Sequence, residues 1–221
     1  VQTCRAINIK AYAYMHGRFN ELHQELFKEV PDFYLIWMPY FERLYRNQFK
    51  FDVKCKFILE HEFFPIDSEP YRYKRKSFDV YNVLLVSDDY HTVSEIEDFC
   101  EFKNSRHVKI SVRSKYLATN KNGNIIPQIR SSFKEQLKSD SIDFVVGGSS
   151  SCLIEAKFYG AVAFSIPSKS KYGEHILRDG LALPISILNS CFDCNGVLIP
   201  EKIKNLTDTS YLQYDQMKGS S

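Results

Sequence analysis

Asp143–Pro167, DFVVGGSSSCLIEAKFYGAVAFSIP, decides the fold. Asp143–Val146 is a short apolar run of β-formers, and Ala161–Ile166 is a second one. Between them Gly147-Gly148 can turn the backbone sharply. Ser149, Ser150 and Ser151 can cap a helix that runs to about Tyr159, and Gly160 closes it. Strand, glycine turn, hydroxyl-rich helix start and strand make a βαβ unit. The amides and hydroxyls of the turn, from Gly148 to Ser151, could hold a phosphate. Glu155 lies one turn beyond Ser151 on the same face, where a carboxylate can accept hydrogen bonds from a ribose. The same residues also suit a plain cap with an acidic group favouring the helix dipole.

Working outward, the C-terminal side is regular. Val83–Val86 reads as a strand, Thr92–Phe102 as a helix and Val108–Val112 as a strand. Pro127–Lys138 follows with helical spacing, its stripe formed by Ile129, Phe133 and Leu137. After the central unit, Tyr172–Arg178 reads as a short helix and Leu183–Leu188 as a last strand. Such alternation predicts a Rossmann-like parallel sheet with helices on both faces, whose ligands sit at the carboxyl ends of the strands. That edge would gather His16, Ser87–Asp89, Arg113–Lys115, the glycine-serine turn and Ser168–Lys171.

The N-terminal side has the same rhythm. Ile7–Met15 reads as a strand, Phe19–Val30 as a helix and Phe33–Trp37 as a strand. A helix from Pro39 carries Phe41, Leu44 and Tyr45, and Val53–Leu59 is a third strand. The rhythm breaks at the two prolines and basic run that precede Phe78. The expected organisation is a partial α/β unit over 1–64, a linker over 65–79, the main α/β domain over 80–205 and a tail over 206–221. Lys218-Gly219-Ser220-Ser221 reads as a cloning scar, and Val1 as the start of a piece of something longer.

Composition narrows the partners. A formal charge of +2 lacks the basic field that nucleic-acid binding calls for. No apolar run reaches the length of a membrane span, and no signal peptide is visible. The tyrosines and cations of Tyr71–Lys76 suit a peripheral contact with an anionic membrane surface, or equally a solvated loop. Six scattered cysteines read as reduced thiols of a cytoplasmic protein. The single CxxC at Cys191–Cys194 has no second pair, so no metal site is expected there. Asp88-Asp89 is a weak metal motif, because adjacent side chains at a strand end point to opposite sides.

The central run resembles the nucleotide-binding segment of GT-B-fold glycosyltransferases of the bacterial surface-polysaccharide type. AYAYMHGRFNEL followed by PDFYLIWMPYFERLY resembles the interdomain region of the same group. Met15 stands where those enzymes have Gln, and Arg113-Ser114-Lys115 stands where they often have His-Pro. ILEHEFFPID replaces their Gly-x-Pro turn. The resemblance implies that Gly148, Ser149, Ser150 and Ser151 bind the donor phosphate and that Glu155 binds the ribose. His16 would face the phosphate or the transferred sugar, while Arg113 and Lys115 would neutralise the leaving nucleotide. It implies metal-independent transfer from a nucleotide sugar to a glycan or lipid-linked glycan acceptor, with no cofactor. The general base would lie in the acceptor domain; Glu60, His61 and Glu62 form a dense titratable cluster where the family pattern departs. Sugar-nucleotide epimerases and polyol-phosphate transferases share the architecture. A non-catalytic interaction domain docking through Phe33–Tyr45 is the alternative outside enzymology.

Overall fold

The computed structural model describes residues 6–14, 31–36, 42, 46, 56–59, 80–88, 90–114, 118–119, 125–126, 132–168, 171–178 and 180–206. The chain divides into two compact units, Val1–Ser68 and Glu69–Ser221. The expected linker over 65–79 lies outside the described residues, as do the Phe19–Val30 helix and the tail from 207 onward.

In the first unit, β1 (Tyr12–Tyr14), β2 (Phe33–Ile36) and β3 (Lys56–Leu59) form a parallel sheet in that order. β1 is shorter than the expected Ile7–Met15 strand. Asn8 takes a left-handed φ of 55°, and Ile7 and Ile9 are exposed, so those isoleucines lie in a turn and not in a buried strand. Tyr12 stacks on Phe33 across the β1–β2 pair at 4.7 Å between ring centroids. Glu42 and Arg46 are helical and bridge at 2.9 Å, one turn apart.

The second unit holds a five-stranded parallel sheet. Its strands are β4 (Tyr81–Val86), β5 (Val108–Arg113), β8 (Phe144–Gly147), β9 (Val162–Ser165) and β10 (Leu183–Pro184), with a separate two-stranded ribbon of β6 (Ala118–Thr119) and β7 (Ile125–Ile126). The lateral order is β5-β4-β8-β9-β10, with every pairing parallel. Numbered within the sheet this is 2-1-3-4-5, one of the two common doubly wound orders. The chain leaves β4 in one direction to reach β5, then crosses back to β8 and continues the other way. The switch therefore falls between β4 and β8.

Both faces of the sheet are covered, as strands reading YNVLLV, FVVG and VAFS require. One face carries Val83, Leu85, Phe144, Val146, Val162 and Phe164. Against it pack Val93 and Ile96 of α1 (Val93–Asp98), Phe102 of the 3₁₀ turn Glu101–Asn104, and Ile185 and Leu188 of a later helix. On the other face lie Leu84, Val145 and Ala163, each at most 1% exposed. Gly147 points the same way as Val145, and Leu153 of α3 (Cys152–Phe158) stands 3.6 Å from where a Gly147 Cβ would be. α3 thus covers the second face. The expected α/β architecture with helices on both faces is the one observed.

Three elements differ from the sequence reading. The helix expected from Thr92 to Phe102 ends at Asp98 and resumes as the 3₁₀ turn; its start is fixed by a capping box between Thr92 and Glu95. α2 (Phe133–Ser139) starts well after Pro127. Ser132 and Glu135 form a second capping box there, with Ser132 N to Glu135 Oε2 at 2.8 Å and Glu135 N to Ser132 Oγ at 3.2 Å. Pro127 and Ile129 lie outside the described residues. The expected Leu183–Leu188 strand stops at Pro184, whose φ of −66° opens α5 (Ile185–Asn189). Ile185 and Leu188 are buried three residues apart, which is helical spacing. α4 (Lys171–Arg178) and a last helix α6 over 200–206 complete the unit.

Phe144 anchors the core. It is fully buried on the central strand, stacked on Tyr81 at 5.4 Å and edge-on to Phe164 at 5.7 Å. Phe144→Ala should cost about 3–5 kcal/mol in urea denaturation. A loss below about 1 kcal/mol would show that the site collapses around the change and that this cluster is not the core.

Candidate functional site at the carboxyl edge of the sheet

Strand register lines up one row of residues at the carboxyl edge: Arg113, Val86, Gly147, Ser165 and Pro184. Just beyond that row the chain leaves the sheet through Ser114, Ser87, Gly148 and Ile166. Two of these exits, after β4 and after β8, flank the switch. Ligands of doubly wound sheets bind there, since the connecting loops part to opposite faces and leave a crevice.

Sterics fix the crevice floor. A Cβ on Gly147 would lie 2.9 Å from the Val86 carbonyl oxygen of the neighbouring strand. A Cβ on Gly148 would lie 2.1 Å from Nδ1 of His91, within the imidazole itself. The sequence suggested that these glycines turn the backbone. Neither has a positive φ, so what they provide is close approach. Ser165, 1% exposed, supports the turn from below by donating its hydroxyl to the Gly148 carbonyl at 2.9 Å.

Asp88 joins the two loops. Its Oδ1 accepts from the amides of Tyr90 and His91 at 2.8 and 2.9 Å and from His91 Nδ1 at 3.1 Å. Its Oδ2 accepts from the Ser149 amide at 2.6 Å and the Ser149 hydroxyl at 2.9 Å. His91 faces a carboxylate through Nδ1, so that nitrogen carries the proton. Burial alone would raise the Asp88 pKa. The hydrogen bonds from Ser149, Tyr90 and His91 outweigh it and hold the carboxyl below its ordinary value.

The serines have separate duties. Ser149 serves Asp88. Ser150 Oγ accepts from the Cys152 amide at 3.2 Å, a local turn that starts α3. Ser151 is the N-cap by position, but it is in the helical region (φ −59°, ψ −24°) and its side chain makes no capping bond. The expectation that the serines cap the helix therefore holds for Ser150 alone. Their amides differ likewise: that of Ser149 is bound, whereas those of Ser150 and Ser151 donate to no acceptor among the described residues. Glu155 is half-buried on the first turn of α3.

Arg113, at the end of β5, is oriented from α2. Its Nη1 donates to Gln136 Oε1 at 3.1 Å, and its guanidinium lies 5.6 Å from the centre of the Phe133 ring. Gln136 is 2% exposed and Arg113 half-buried, so this orienting contact is part-buried. Beside it, Ser87 donates its hydroxyl to Ser114 at 2.9 Å. One thiol registers the convergence. Burial pushes the Cys152 pKa up, the Ser150 hydroxyl lowers it, Glu155 raises it and Arg113 lowers it. Arg113, Ser150 and Glu155 thus each act on the Cys152 thiol at the start of α3. Of the remaining candidates, His16, Glu60, His61, Glu62, Asp89 and Lys115 lie outside the described residues.

Asp88 and His91 are the residues the sequence reading missed as partners of the serine turn. The signal was Asp-x-x-His just after an apolar strand; Asp88 was placed at the carboxyl edge and, with Asp89, read as a weak metal motif, without being paired to the turn. For a metal, no group of three His, Cys, Asp or Glu side chains is assembled among the described residues. The CxxC does not present a paired site: Cys191 is buried, Cys194 exposed. Nor, among those residues, is any helix long and apolar enough to cross a membrane.

No family model matches this sequence, and no curated protein matches it. A similar solved structure is the crystal structure of TarM, 13% identical with a TM-score of 0.46. The alignment covers 96% of this chain and 51% of that one, so this chain spans about half of TarM's length. A likeness of that degree transfers no residue role and no activity.

Two outcomes test the site as built. Gly148→Ala should destabilise the unit by about 1–3 kcal/mol through collision with His91. Most of that loss should vanish in a His91→Ala background, and a double-mutant cycle without coupling would contradict the packing. Asp88 also carries a pH signature. A lowered folded pKa contributes stability above the unfolded value, about 3.9, and that contribution disappears as pH falls through the folded value. The stability gap between the wild type and Asp88→Ala should therefore narrow on acidification below pH ~4. A gap independent of pH would contradict the carboxylate's role.

Proposed function

We propose that this chain is the donor-binding part of a glycosyltransferase that moves a sugar from a nucleotide sugar to a surface glycan acceptor. The observation that carries the reading is the convergence at the switch point. The unengaged amides of Ser150 and Ser151 follow directly on Gly147 and Gly148, and Arg113 stands in the Gly147 row two strands away, at the edge where doubly wound sheets bind nucleotides. The resemblance of Asp143–Pro167 to the nucleotide-binding segment of GT-B enzymes supports it independently.

In this reading the phosphoryl groups lie against the Ser150–Ser151 end of the glycine-serine turn, since Ser149 is engaged by Asp88, and Glu155 accepts from the ribose hydroxyls. Arg113, aided by Lys115, offsets the charge that grows on the departing nucleoside phosphate, so the leaving group needs no metal. A fixed guanidinium suits that task, because Gln136 and Phe133 have already set its direction. His16 is assigned to the transferred sugar, on the resemblance alone. The acceptor is a glycan or lipid-linked glycan, approached at the inner surface of the cytoplasmic membrane.

A thermal-shift panel of uridine, cytidine and guanosine diphosphates tests the reading. One of them should raise the melting temperature, since a ligand at 100 times its Kd adds about 2.7 kcal/mol. Ser150→Ala combined with Glu155→Ala should weaken that nucleotide about tenfold, or about 1.4 kcal/mol, by calorimetry. Unchanged affinity in the double variant would remove the site, and no shift with any nucleotide would remove the function.

A further inference from the structure

Ser149, the first hydroxyl of the turn, already has an anion on it. Its amide and its hydroxyl both donate to Asp88 Oδ2, at 2.6 and 2.9 Å. The Asp88 side chain keeps 11% of its surface exposed, so this carboxylate lies at the crevice and is not sealed beneath it. A phosphoryl group placed against Ser149 would have to displace the carboxylate and then stand beside its charge, an arrangement of like charges that is disfavoured. The cation at hand to offset a phosphoryl charge is Arg113, which ends β5 in the same edge row as Val86 and Gly147 and is oriented by Gln136.

Resting on the nucleotide-sugar reading above, we propose that Asp88 is a specificity-determining residue of this edge. It occupies the Ser149 donors, keeps phosphoryl groups out of the β4–β8 crevice and directs them to Ser150, Ser151 and Arg113. The Asp88–Ser149 side is left to the uncharged, hydroxyl-bearing part of the donor. His91 is a positioning residue in this scheme. Its ring packs on Gly148, and its Nδ1 proton holds Oδ1, which leaves Oδ2 facing Ser149.

Calorimetry of UDP and of inorganic pyrophosphate with the full chain, wild type and Asp88→Asn, tests the proposal. The variant should bind pyrophosphate roughly tenfold more tightly than the wild type at low salt, with the gain shrinking as salt is raised. A folded variant whose pyrophosphate affinity is unchanged or weaker overturns the proposal. Should Asp88→Asn not fold, the wild type decides. In a ¹⁵N-labelled sample titrated with pyrophosphate, the Ser150 and Ser151 amides should shift while Ser149 holds; a Ser149 shift as large as theirs overturns it. Wild type that binds none of the uridine, cytidine and guanosine diphosphates and no pyrophosphate overturns the glycosyltransferase reading and this inference together. UDP binding in the wild type with no effect of the substitution overturns the inference alone.

Discussion

One carboxylate fixes the geometry of the working edge. Asp88 accepts from both sides of the switch point at once, through Oδ1 from its own loop and through Oδ2 from the serine turn. With this tie, the His91 ring lies against Gly148, and Ser150 and Ser151 follow the tied residue in the turn. The charge is tolerated because charge-assisted hydrogen bonds outweigh the desolvation that burial imposes.

The sheet makes this arrangement available. Parallel strands buried on both faces leave only their ends for chemistry, and the 2-1-3-4-5 order puts two loops of opposite course side by side. β5 contributes Arg113 from one flank, and the hydroxyl of Ser165 on β9 supports Gly148 from the other. The site is therefore assembled from four strand ends, with α2 reaching across to orient the guanidinium through a buried Gln136.

Much of the fold was legible because strand runs such as VLLV, DFVV and AVAFSI are apolar enough to require burial on both faces. The helix starts were less so. Ser132 and Glu135 form a capping box that sets the start of α2, and Pro184 turns an apparently continuous apolar run into a helix. Local capping decided those boundaries, and periodicity alone does not weigh it. At the site, the glycine-serine turn and Arg113 stood out by residue type. The pairing of Asp88 with Ser149 spans 61 positions of sequence and depends on β4 lying beside β8, which a pattern in one dimension does not encode. Gln136 was hidden for the same reason, as a polar residue in a helix that only strand order brings next to Arg113.

A crystal structure of the protein with a bound nucleoside diphosphate measures the central claim most directly. The account places the diphosphate oxygens about 3 Å from the Ser150 and Ser151 amides, with Arg113 alongside and Asp88 still joined to Ser149. Diphosphate density at another edge of the sheet, or lodged between Ser149 and a displaced Asp88, would contradict it.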